Sequence, residues 1–113
     1  MVAYYRRVSM DAAFKALADP TRRRILDTLR ARNGQTLSAL CARASMTRQA
    51  VAKHLAILEA ANLVVAQKQG REKLHYLNPV PIHEIAERWI VNFERGRLRA
   101  LSELKKTLEG EDR

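Results

Sequence analysis

Cysteine is almost absent from this chain. Among 113 residues there is one, Cys41, so no intramolecular disulfide forms and a cysteine-rich metal cage is excluded. No uninterrupted run of about 18 apolar residues occurs, so no transmembrane helix is expected. The first residues, Met1-Val2-Ala3-Tyr4-Tyr5-Arg6-Arg7, lack the apolar stretch of a secretory signal. The four glycines are isolated, so they build no phosphate-cradling loop. Neither internal repeats nor a nucleophile–base–acid arrangement can be recognised. These absences lead us to expect a cytoplasmic, single-domain protein that is not an enzyme and needs no cofactor. A core this small gains stability from a partner subunit.

Positive charge, by contrast, is in excess. Lysine and arginine number 21 against 12 aspartates and glutamates, giving a net charge of +9. The excess is uneven: residues 1–77 hold fourteen bases and five acids, whereas residues 78–113 hold seven of each. One part of the fold meeting a polyanion while another does something else would produce this distribution. Charge alone fits a merely solubilising surface equally well.

Periodicity supplies the framework. Residues 1–9 show no helical pattern and read as an N-terminal arm, ahead of a domain over 10–113. Residues 10–18 read as a short helix with Ala13, Phe14 and Leu17 on one face. Asp19 suits an N-cap and Pro20 a first helical position, opening a helix over about 20–31 that buries Ile25, Leu26 and Leu29. Its polar side carries Arg22, Arg23, Arg24, Arg30 and Arg32. Asn33-Gly34 ends it, with Gly34 free to adopt a left-handed conformation. Thr36 caps a third helix, about 37–44, with Leu37, Leu40 and Cys41 inward; Thr47 caps a fourth, to about Ala61, with Val51, Leu55 and Leu58 inward and Asn62 closing it. Residues 63–69 and 73–77 form a hairpin that turns at Gln69-Gly70-Arg71-Glu72. Residues 82–108 read as one long final helix, with Gly96 interrupting it.

This order is mainly α with a small β-hairpin: a winged helix-turn-helix of about five helices and a two-stranded wing. A helix fits the major groove of B-DNA, where every base pair shows a distinct set of donors and acceptors. The fourth helix must therefore expose hydrogen-bonding side chains near its N-terminal end. Thr47, Arg48, Gln49 and Lys53 are those side chains, all read as facing away from the buried stripe, with Ala52 small enough to touch a thymine methyl. Arg48 suits guanine and Gln49 suits adenine, while Lys68, Arg71 and Lys73 on the hairpin suit phosphates or the minor groove. Taken singly each is ordinary surface; it is their order along the chain that points to double-stranded DNA.

The final helix is too long for a small core to cover. Trp89, Phe93, Leu101, Leu104 and Leu108 form an apolar seam that pairing with a second copy would bury. Its neutral charge suits a protein-facing role. Two paired subunits would set their recognition helices about 34 Å apart and select a near-palindromic site.

The run from Phe14 to Leu26, containing Leu17-Ala-Asp-Pro-Thr-Arg-Arg-Arg24, resembles the opening helices of the ArsR/SmtB-type bacterial repressors. Ser45-Met-Thr-Arg-Gln-Ala-Val-Ala-Lys-His-Leu55 resembles their recognition helix, and Gln69-Gly70-Arg71 with His75-Tyr76-Leu77 their wing. The likeness spans about residues 10–110. It implies a homodimeric repressor whose first and last helices make the dimer contact, which adds Phe14 to the interface. It places the family's DNA-reading positions on Thr47, Arg48, Gln49, Ala52 and Lys53.

The metal sensors of that family carry a Cys-x-Cys pair before the recognition helix or paired Asp/His ligands on the last helix. Here Cys41 has no thiol neighbour and reads as a small buried packing residue. His83 and Glu87, at i and i+4, give two ligands, and only a dimer would supply more. No metal site is assigned and no effector is indicated, so a metal- or ligand-responsive sensor stays as the alternative, with a nonspecific nucleic-acid binder behind it. His54, at the edge of the buried stripe, reads as packed against a neighbour or touching a phosphate; His75, on the wing, reads as facing solvent or DNA.

Overall fold

The computed structural model describes the backbone of residues 2–89 and 95–111 and the side chains of 10–89, 97 and 99–110. Among these residues there are six helices and one hairpin, in the order α1 (Val2–Leu17), α2 (Pro20–Ala31), α3 (Leu37–Arg43), α4 (Arg48–Ala60), β1 (Val64–Gln69), β2 (Glu72–Leu77), α5 (Val80–Trp89) and α6 (Arg95–Glu111). The chain divides into two compact units, Met1–His83 and Glu84–Arg113. No helix among the described residues is long and apolar enough to cross a membrane.

Three helices of the first unit, α2, α3 and α4, start on a side-chain cap, as the sequence indicated. Asp19 sits in extended backbone and its Oδ2 accepts from the backbone N–H of Arg22 at 2.9 Å, with Pro20 beginning the helix. Thr36 and Thr47 do the same for α3 and α4, their Oγ1 atoms accepting from Ala39 and Ala50 at 3.1 Å. The end of α4 is equally well defined. Asn62 adopts φ 60, the Asn62 N–H donates to the Glu59 carbonyl at 3.0 Å, and the Leu63 N–H donates to that of Leu58 at 2.9 Å. This is a Schellman closure with asparagine in the place glycine usually takes.

The core of the first unit is built from the stripes these helices turn inward. Ile25, Leu26 and Leu29 of α2, Leu40 of α3, and Val51, Leu55 and Leu58 of α4 are all buried, closed by Leu63 and Val64 where the hairpin begins. α4 is central, packing on α1, α2, α3 and β1. From α1 come Ala13 and Ala16, whose small side chains let that helix approach closely. Phe14, placed on the inner face by its spacing, is instead 42% exposed. Leu17, Leu37 and Cys41 are only half-buried, so Cys41 is a border residue and not the fully packed one expected. α1 also begins at Val2, so the stretch read as an arm continues the first helix.

The hairpin pairs Val64 with Leu77 through Gln69 with Glu72, leaving Gly70 and Arg71 as a two-residue turn. Gly70 has φ 63, the left-handed backbone that a type II′ turn requires at its first loop position. The base of the hairpin is tied to the α2–α3 connection by an isolated bridge between Gln35 and His75. The His75 N–H donates to the Gln35 carbonyl at 2.8 Å, and Nδ1 of the same ring lies 2.9 Å from that oxygen. A carbonyl only accepts, so Nδ1 carries the proton. His75 is thus buried against the chain and does not face solvent or DNA as its strand position suggested. Gln35, also buried, spends its side-chain amide on the carbonyl of Arg32 at 2.7 Å.

The second unit holds most of α5 and all of α6. α6 presents Leu101, Leu104 and Leu108 at a three-then-four spacing, each 54% exposed. The final helix was expected to be continuous over 82–108; residues 90–94, including Phe93 of the expected dimer seam, lie outside the described residues.

Candidate nucleic-acid interface

α3, the break at residues 44–47 and α4 make the helix-turn-helix. Thr47 is exposed, but its Oγ1 accepts the cap bond of α4, which leaves its hydroxyl proton and one lone pair for an outside partner. Gln49 and Lys53, one turn apart, are exposed on the crest of α4. Arg48 is exposed as well, and Ala52 is half-buried.

Arg48 does not share the crest. Its Nη1 donates to Ser38 Oγ on α3 at 2.9 Å, and the side chain lines a trough of about 500 Å³ between α3, α4 and the hairpin. Ala52, Glu59, Arg71, Glu72 and Lys73 also line this trough. The sequence set Arg48 and Ala52 opposite the buried stripe; the structure sets them on its flank, facing the wing. Ser38 was missed as a site residue because its connection to Arg48 spans ten positions.

On the wing, Lys68 and Lys73 stand directly opposite each other in the register. Like charges facing across strands destabilise a hairpin unless something offsets them. Part of the offset is Glu59, whose Oε1 lies 3.7 Å from Lys73 Nζ in a partly exposed pair. A polyanion would supply the rest. Arg71, at the tip, is exposed. The eight positions that the sequence nominated for DNA therefore lie on α4, its N-cap and the adjoining hairpin.

Behind α4, Arg22 acts as a fastener. Its guanidinium donates to the carbonyls of Ala16 at 2.8 Å and Lys15 at 3.1 Å, at the end of α1, and reaches Nδ1 of His54 at 3.3 Å. His54 is thus a packed residue with a neighbour, one of the two readings of it. The backbone N–H of Arg22 holds the Asp19 carboxyl below the usual carboxylate range, with the Arg22 and His54 charges adding to the effect. A second recess, of about 300 Å³, lies between α2 and the helix-turn-helix break, with Arg24, Arg43 and Ser45 among its lining residues. Among the described residues no three His, Cys, Asp or Glu side chains come together as a metal site would need.

Comparison with known proteins gives the following likenesses. A family model described as a helix-turn-helix domain matches residues 17–66, the stretch from the end of α1 into β1. The uncharacterized HTH-type transcriptional regulator YuzN of Bacillus subtilis (strain 168) is 45% identical over 86 residues, covering 71% of this chain and 94% of that protein. The transcriptional repressor SdpR of the same organism is 30% identical over 84 residues, 74% of this chain and 91% of that one. Among solved structures, an ArsR-like transcriptional regulator from Rhodococcus sp. RHA1 superposes with a TM-score of 0.64 at 36% identity, over 83% of this chain and 90% of the other.

Proposed function

The chain belongs to the ArsR-type winged helix-turn-helix transcriptional regulators, which bind DNA, and from that premise we propose that it is a homodimeric repressor that shuts off transcription by occupying a near-palindromic operator. The observation that carries this reading is the exposed polar crest of α4 beside a cationic hairpin, both within the basic two-thirds of the chain. α4 enters the major groove with Thr47, Gln49 and Lys53 foremost and Arg48 and Ala52 on the flank; Lys68, Arg71 and Lys73 approach the flanking backbone.

Dimerisation is proposed through apolar side chains that each of the two units exposes. Phe14 on α1 is 42% exposed, Trp89 on α5 is 50% exposed, and Leu101 and Leu104 lie on the α6 stripe. Burying a leucine fully is worth roughly 1.5–3 kcal/mol, so a half-exposed one still gains about 1 kcal/mol from a partner. Two copies of the three-leucine stripe make that a substantial sum. The reading involves no catalytic step, no membrane and no cofactor, and places the protein in the cytoplasm with its duplex.

The test is selection of bound duplexes from a random pool by the full-length protein. A repressor of this kind enriches one motif in two inverted halves, centred about 10 base pairs apart. A pool that emerges without an enriched motif refutes the proposal.

A further inference from the structure

We infer that Arg48 clamps a backbone phosphate at the edge of the trough, steered there by Ser38, and that base discrimination by α4 falls to Gln49 and Lys53. The inference rests on the DNA-binding reading above and assigns the work within it.

Helix geometry makes the first argument. Successive residues lie about 100° apart, so Arg48 points roughly 20° from the direction of Leu55 and roughly 60° from that of Val51. Both of those residues are buried. Gln49 lies about 180° from Leu58, and Lys53 about 160° from both Val51 and Leu55. When the back of α4 rests on the core, Gln49 and Lys53 therefore project along the line of insertion. Arg48 leaves sideways, toward α3 and the wing. In a helix seated in the major groove the outermost side chains meet base edges, and those on the flanks meet the groove walls, which are phosphate.

Contact makes the second argument. The bond from Arg48 Nη1 to Ser38 Oγ, 2.9 Å long, fastens the guanidinium to α3 and draws it off the crest. It leaves the other guanidinium N–H groups for an anion, a geometry suited to bidentate recognition of phosphate.

Charge within the trough decides where the phosphate lies. Of its three cations, Lys73 is engaged by Glu59, and Glu72 also lines the wall. The carboxylates offset the positive charge inside that end of the trough, and Arg71, exposed at the tip of the wing, is left to reach the backbone from outside it. What remains attractive is the Arg48 side, beside the Ser38 hydroxyl. Ser38 is thus a positioning residue: it acts through Arg48.

The test uses the full-length protein, the duplex it selects, single-base-pair variants of that duplex and a random duplex, with affinity measured by fluorescence anisotropy across a range of salt. Arg48→Ala is expected to weaken binding to every duplex by a similar factor, about tenfold, and to reduce the slope of log affinity against log salt by about 0.9. Ser38→Ala should weaken all duplexes by a smaller common factor and do nothing further when Arg48 is already alanine, which a merely structural role would not produce. Gln49→Ala and Lys53→Ala should each relax preference at one base pair per half-site by roughly tenfold or more. The inference is overturned if Arg48→Ala erases preference at one position with the salt slope unchanged, or if the Gln49 and Lys53 variants keep every preference. A wild-type protein that binds all duplexes alike refutes the underlying reading instead, and that is visible before any variant is made.

Discussion

The sharpest stability test lies at Gly34, where the α2–α3 connection meets the wing. Its φ of 78 is left-handed, which costs an L-residue roughly 1–2 kcal/mol. A Cβ built there would also lie 3.2 Å from Tyr76 Oη, 3.3 Å from Cζ and 3.4 Å from Cε2, tighter than ordinary contact, so the ring must shift. Gly70 is the natural control: its φ is 63, yet a Cβ there meets nothing within 4 Å. Gly70→Ala should therefore cost about 1 kcal/mol, the backbone contribution alone. Gly34→Ala should cost about 2 kcal/mol or more, because displacing Tyr76 disturbs the strand that pairs with Gln35. The difference of about 1 kcal/mol corresponds to a gap of about 4 °C in melting temperature for a chain of this length. Thermal unfolding followed by circular dichroism, at one protein concentration, measures it. If Gly34→Ala melts at or above Gly70→Ala, the close packing of Tyr76 over Gly34 is refuted.

Other expectations follow from the same geometry. Asp19→Asn keeps an acceptor for the cap but not the depressed carboxyl; in the wild type that stabilisation is complete above the ordinary pKa of 3.8 and is lost as pH falls through the lower folded value, so acid melts should show a steeper decline for wild type than for the variant. Leu104→Glu introduces a charge into the exposed α6 stripe and should shift sedimentation from dimer to monomer while leaving the helical signal in place. Asn62→Val, β-branched at a left-handed position, should lower stability by about 2 kcal/mol in urea titrations.

What could be read from the sequence was local. Asp19, Thr36 and Thr47 were legible as caps because the bond runs only three residues along the chain. The buried stripes of α2 and α4 were legible because one face of each helix meets the core. The misreadings arise where distant chain segments meet. His75 is buried by Gln35, forty positions away, and no strand pattern records that bridge. Phe14 has the spacing of a core residue, but the contact of α1 is made by Ala13 and Ala16, and a close approach leaves the larger ring outside. Arg48 was placed on α4, but its bond to Ser38 of α3, ten positions away, leaves no mark in the sequence. The eight nominated positions could be placed on α4, its cap and the hairpin from the sequence, but the direction each side chain takes emerges only in three dimensions.

The central claim, that the crest of α4 lies in the major groove of a specific duplex, is tested most directly by methylation protection of guanine N7 on the duplex the protein selects. N7 is a major-groove atom, so the account predicts two protected patches about one helical turn apart, lost or weakened when Gln49 and Lys53 are replaced by alanine. Guanines that methylate as freely in the complex as in bare DNA, or protection confined to minor-groove adenine N3, would contradict it.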